Sequence, residues 1–185
     1  MRQILSGVFN ICSFERFMER PDFAKLHDGI LNKANRSDPK ERGELVKLNL
    51  IALRALYDWA ELNDVHGVKE RFGQFLFTVE GGIKPFEEAV VFVNSQPYIL
   101  FLDLRGSNHL SKQGRKFVFS VMHEHIRVQN PDLEDVKLGV LHLTKEGKER
   151  HVVLHEHDGG PLFSLGELEV MVRAMFAEIK FTKAA

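Results

Sequence analysis

Only one cysteine, Cys12, stands in the 185 residues of this chain. No disulfide can form within it, so packing holds the fold and a reducing compartment is expected. There is no run of about 18 apolar residues, which argues against a helical membrane span. The segment from Met1 to Ser13 lacks a clean apolar signal core and a small-residue cleavage site, and the chain reads as cytoplasmic. An excess of either charge is also missing. Lys and Arg number 25 against 26 Asp and Glu, for a net charge of −1, which removes the basic footprint of a non-specific nucleic-acid binder but leaves room for a local patch. Aromatic residues with a polar handle are scarce, with one Trp and two Tyr beside 15 Phe. That balance favours core or interface packing over stacking on bases. No glycine-rich phosphate loop ending in lysine, no Gly-x-Ser-x-Gly elbow and no Gly-x-Gly-x-x-Gly dinucleotide turn occurs.

What is present suits one ordinary domain, because 44% of residues are hydrophobic and 28% charged. We expect a helical N-terminal appendage over residues 1–36 and a single α/β domain over 37–185. Leu45, Leu48, Ala52, Ala55, Leu56, Trp59 and Leu62 recur at helical spacing, with Val46, Leu50, Leu53 and Tyr57 as a second stripe, predicting a helix from about Glu41 to Leu62 that is buried on more than one side. Ser37-Asp38-Pro39 marks its start. Period 2 then takes over at Phe75, Phe77 and Val79, followed by apolar runs at Ala89–Val93 and Tyr98–Leu104 around the turn Asn94-Ser95-Gln96-Pro97. Ser111–Arg127 reads as a helix, and Val136–Leu143 and His151–His157 read as strands joined at Glu146-Gly147. A final helix follows Ser164, with Glu167 completing a capping box. The predicted order is α-β-β-β-α-β-β-α, an α/β (α+β) fold with a mixed central sheet of about five strands flanked by helices.

Residues 41–143 in this order resemble the restriction-endonuclease-like fold, the PD-(D/E)xK nuclease superfamily. The resemblance rests on element order and on Glu87-Glu88 before the second core strand, with Asp103-Leu104-Arg105 ending the third. Fifteen residues separate Glu88 from Asp103, an interval that suits a hairpin returning both carboxylates to one sheet edge. The resemblance implies an endonuclease or exonuclease acting on DNA with Mg²⁺ or Mn²⁺. Glu88 and Asp103 would hold the metal, Arg105 would contact phosphate, and Glu44 on the long helix would be a supporting acid. Arg105 stands where the family has lysine and cannot lose its proton to assist a water. Which of Glu87 and Glu88 faces inward is open. Gln113 and Phe117 echo the glutamine-tyrosine pair of the helicase-associated branch. The alternative is a non-catalytic interaction or scaffold subunit of a nucleic-acid-handling or defence complex, with a protein partner or a homo-oligomer.

Two further groupings carry expectations. Lys112, Arg115 and Lys116 gather near the start of the second long helix, where positive charge opposes the helix dipole; they are either a solvated face or a contact for an anionic partner such as DNA. Among the nine histidines, His151, His155 and His157 share parity on one predicted strand and form a rival Zn²⁺ set that Asp158 or Glu124 would complete. The competing reading is a polar strand face. His123-Glu124-His125 lies on a helix, where residues two apart diverge and do not chelate together.

Overall fold

A computed structural model describes residues 6–12, 19–34, 39–72, 75–76, 82–83, 89–105, 109–147 and 149–184. The longest helix there, α2 (Pro39–Leu62), follows α1 (Phe23–Ala34). Leu53, Leu56 and Tyr57 of α2 are buried, as the helical stripes predict, and so is Ala60 outside them, whereas Leu48 and Leu62 of the first stripe are exposed; Ser37 and Asp38 lie outside the described residues. The main sheet has six strands in the order β1 (Ile11–Cys12), β2 (His66–Lys69), β5 (Ala89–Val93), β6 (Gln96–Asp103), β7 (Lys137–Glu146) and β8 (Glu149–Glu156). Two pairs, β1 with β2 and β6 with β7, are parallel; the rest are antiparallel. The sheet is mixed, as expected, and has one strand more.

The extra members are β1 and β2, which the sequence pattern missed because β2 reads His-Gly-Val-Lys, without alternating apolar residues. The predicted strand from Phe75 instead appears as β3 (Phe75–Leu76), paired only with β4 (Gly82–Ile83) in a separate ribbon. Its continuation to Val79 lies outside the described residues. Asn94 and Ser95, both with positive φ (47° and 66°), make the two-residue turn between β5 and β6. After β6, α3 (Lys112–Met122) crosses to β7, and its last turn widens over His123–Arg127. Gly147 (φ 61°) turns the chain from β7 into β8.

Two helical layers cover the sheet. Leu100, Leu141 and Leu143 face α1 and α2, with Val152 and Leu154 packed beside them. Ile99, Leu138 and Val140 face α3 and α4 (Leu165–Ala184) through Val118, Met122, Leu168 and Val172. The continuous run Ile99-Leu100-Phe101-Leu102 is thus divided between two cores, which is why it does not alternate. Val8 and Phe9 of the N-terminal segment are buried in the α1/α2 core. Burying a side chain of leucine size contributes about 1.5–3 kcal/mol, so both layers hold the sheet. That packing is close at Gly139 in β7, where a Cβ would come within 2.7 Å of Leu100 and 2.8 Å of Leu154. No helix among the described residues is long and apolar enough to cross a membrane.

Candidate functional site

The strand β6 ends beside its parallel neighbour β7, with Asp103 opposite His142. Only 3% of Asp103 is exposed, so its carboxylate must find partners inside the protein. Arg105 supplies most of them. Its Nε donates to Oδ1 at 2.6 Å, its Nη2 to Oδ2 at 2.8 Å, and its backbone N–H to Oδ1 at 3.4 Å. The N–H of Leu110 donates to Oδ2 at 2.8 Å. Burial pushes this carboxyl up, yet the Arg105 fork and the Leu110 N–H outweigh it and hold the group below the usual aspartate range. A carboxylate offers about four lone-pair sites, and four hydrogen bonds occupy them. Asp103 therefore fastens the chain leaving β6 to the start of α3. There Ser111 Oγ accepts from the Gly114 N–H at 3.1 Å, and Arg115 donates to the Leu110 carbonyl at 2.9 Å.

The other acidic candidates fall outside what the structure describes. Glu87 and Glu88 lie outside the described residues, and Glu44 sits on α2 without a described side chain. The three basic side chains of α3 meet different partners. Arg115 is turned to the Leu110 carbonyl, Lys116 Nζ stands 4.1 Å over the Phe163 ring, and the Lys112 charge helps hold Asp158 below its ordinary pKa after the Gly160 N–H and the His157 charge. Gln113 and Phe117 line a shallow groove with Leu110 and with Met171 and Met175 of α4.

Three histidines do gather at the strand end, but they are not the predicted three. His155 lies on the same face as His151 by parity, and its Nε2 is 2.8 Å from Nδ1 of His142. The rings of His142 and His155 stack at 4.5 Å, and His109 stacks on His142 at 4.7 Å. His151 instead stands 3.9 Å from both Glu146 and Glu149, and His157 leaves the strand to meet the Gly160 carbonyl at 3.0 Å and the edge of Phe119. His109 and His142 escaped the sequence reading. The available signal was parity, because His142 shares the face of Leu138 and Val140 and so belongs to a buried layer.

The electrostatics of the stack favour neutral rings. Burial lowers the His142 pKa first, with the His109 and Arg115 charges adding to it and Asp103 opposing. Burial, Arg115 and His142 likewise lower that of His155. Neutral imidazoles are competent metal ligands, but His142 and His155 are already directed at one another. Among the described residues no three His, Cys, Asp or Glu side chains are placed to hold a metal ion. What this end of the sheet does is lock the β6-to-α3 connection and the β7–β8 pair with hydrogen bonds and stacked rings.

Comparison with known proteins points away from the predicted chemistry. The chain is 26% identical over 120 residues to a Caulobacter vibrioides protein described as DNA replication inhibitor toxin SocB, covering 65% of this chain and 48% of that protein. It therefore spans about half the length of the curated relative it matches. No solved structure matches. The family model that matches, over residues 1–179, is that of the sliding clamp-binding bacterial toxin SocB. This overturns the resemblance to PD-(D/E)xK nucleases, and with it the reading of the chain as a DNA-cleaving hydrolase and the reason for seeking a Mg²⁺ site at Glu88 and Asp103. The resemblance arose because helix, hairpin, helix and parallel strand is an order that unrelated mixed sheets share, and because an Asp-x-Arg strand end forms a structural ion pair as readily as a phosphate site. By the match over residues 1–179, the chain belongs to the SocB family.

Proposed function

We propose that this chain is a protein-binding inhibitor of DNA replication whose target is the bacterial sliding clamp. The observation that carries the reading is the family match over residues 1–179, together with the description of that family as sliding clamp-binding. The name of the curated relative, a DNA replication inhibitor toxin, agrees with it. Two physical features support binding over chemistry. Asp103 has its lone pairs occupied by Arg105 and Leu110, so it fastens a loop and leaves no room for a reacting group. A net charge of −1 gives little affinity for phosphate backbones, so the route to replication runs through a protein. Inhibition by occupancy needs no bond to be broken: a protein seated on the clamp denies that surface to others.

The reading is tested by calorimetric titration of the full chain into a purified bacterial sliding clamp, in buffer with Mg²⁺ and again with EDTA. Saturable binding at about micromolar Kd or tighter is expected, unchanged by removal of the metal. Absence of binding in both buffers, with the protein folded, overturns it.

A further inference from the structure

The outer edge of the sheet at β8 is open over eight residues, and no strand among the described residues pairs with its far side. The register shows which backbone groups lie there. The His157 N–H donates to the Leu138 carbonyl, so these two residues form a hydrogen-bonded pair of the antiparallel ladder. Counting back by twos along an unbroken register, His155, Val153, His151 and Glu149 bond inward to β7. The N–H and C=O groups of Arg150, Val152, Leu154 and Glu156 therefore point outward. β8 holds no proline and no lysine, its pairing has no bulge, and its charges, Glu149, Arg150 and Glu156, stand at its two ends and leave Val152, Val153 and Leu154 between them.

Outward backbone groups of this kind take an extended strand, and the side-chain order says whose. If a second copy of β8 adds antiparallel, its outward residues must stand opposite outward residues, so even-numbered positions pair with even-numbered ones. With the two-fold axis through Val153, Arg150 stands opposite Glu156 of the second copy, Val152 opposite Leu154, and His151 opposite His155. Symmetry repeats each pair. Sliding the second copy by two residues sets Arg150 against Leu154 in one direction and Val152 against Glu156 in the other, so a single register matches charge with charge and apolar with apolar. Glu156 is prepared for this place, since Tyr98 donates to its Oε1 at 2.6 Å and Lys137 to its Oε2 at 3.2 Å, holding the carboxylate while further lone pairs remain.

A second observation supports the same pairing. Val152 and Leu154 lie on the face covered by α2, and beside Val152 a groove of about 650 Å³ is lined by Ile51, Ala55, Trp59 and Leu62 together with the charged Arg54, Asp58 and Arg150. Leu62 is 85% exposed. An axis perpendicular to the sheet keeps both α2 helices on the same side, and the register sets residues 149–152, beside the groove of one copy, opposite residues 154–157 of the other. The geometry points to a homodimer in which the β8 edges pair antiparallel about Val153, joining two sheets into one.

Sedimentation velocity of the full chain over a concentration series tests this, and a monomer–dimer equilibrium is the expected result. Arg150→Glu sets like charges together twice, as does Glu156→Arg, and each variant alone should dimerise at least about tenfold more weakly. Mixing the two restores opposite charges at both places and should regain the dimer, which a misfolded variant would not do. Val152→Pro removes an outward N–H while leaving the inward ladder intact, and should also give a monomer. A wild-type chain that stays monomeric throughout, a dimer indifferent to all three substitutions, or folded variants that fail to pair on mixing would each overturn the proposal. None of these readouts uses the sliding clamp, so they stand apart from its binding.

Discussion

The two sides of β8 show opposite uses of polar groups. On its inner side, towards β7 and the end of β6, polar groups are engaged within the protein: Asp103 by Arg105 and Leu110, and His155 by His142, on which the His109 ring stacks. Along its outer side, alternate backbone groups have no partner strand among the described residues. The first region carries Asp103, Arg105 and His155, which a motif search selects, and it serves to hold the fold. The second carries no motif, because backbone hydrogen bonding is the same for any sequence, and it has the capacity to bind. Polar residues grouped at a strand end are informative about recognition only when their lone pairs and protons remain available.

This contrast can be broken from either side. The largest effect is expected at Asp103. Asp103→Ala leaves the Leu110 N–H buried without its acceptor and releases the Arg105 fork, costing about 2–3 kcal/mol in urea denaturation. A change within about 0.5 kcal/mol would mean that the strand end is not a fastening after all. Next is Gly139→Ala, whose methyl group meets Leu100 and Leu154 across three strands and should cost about 1–3 kcal/mol by overpacking. Tyr98→Phe removes the hydrogen bond to Glu156 for about 1 kcal/mol. Burial and that same carboxylate push the Tyr98 pKa up to about 12, so Glu156→Gln should bring its phenolate absorbance in at lower pH. Least disturbed is the open edge, where Arg150→Glu should shift monomer stability by no more than about 0.5 kcal/mol while acting on self-association.

The histidine stack adds a pH dependence of defined sign. Folding lowers the pKa values of His142 and His155 below 6.5, so in the acid range the unfolded chain binds protons that the folded one does not. Stability is at its full value above about pH 6.5 and falls from there until the depressed folded values are reached. Denaturation midpoints measured from pH 7.5 to 5 should decline, and the double variant His142→Phe with His155→Phe should flatten the slope. An unchanged slope would show that the rings take up protons freely in the folded state.

Much of this architecture was legible in the residues. The stripes of α2, the Ser164–Glu167 capping box, the Asn94-Ser95 turn and the apolar run of β6 each have one local cause, and the structure follows them. What escaped was non-local. β2 is a strand because β1 and β5 flank it, and His-Gly-Val-Lys carries no sign of that. The strand-end acid was visible, but whether Asp103 would be free or fastened depended on Leu110, seven residues on and placed by the start of α3. Parity sets His142 on a buried face, but its meeting with His109, which comes from a loop, is not written in the spacing of either element. Surface recognition was the least legible of all, since an open edge is written in topology.

The central claim is that the chain acts by occupying a protein surface. Its most direct measure is primer extension by a clamp-dependent polymerase, with this chain titrated in and purified sliding clamp then added in excess. The account predicts inhibition that added clamp relieves, with the template intact on a denaturing gel. Inhibition that excess clamp leaves unchanged, or a template cut in the presence of Mg²⁺, would contradict it.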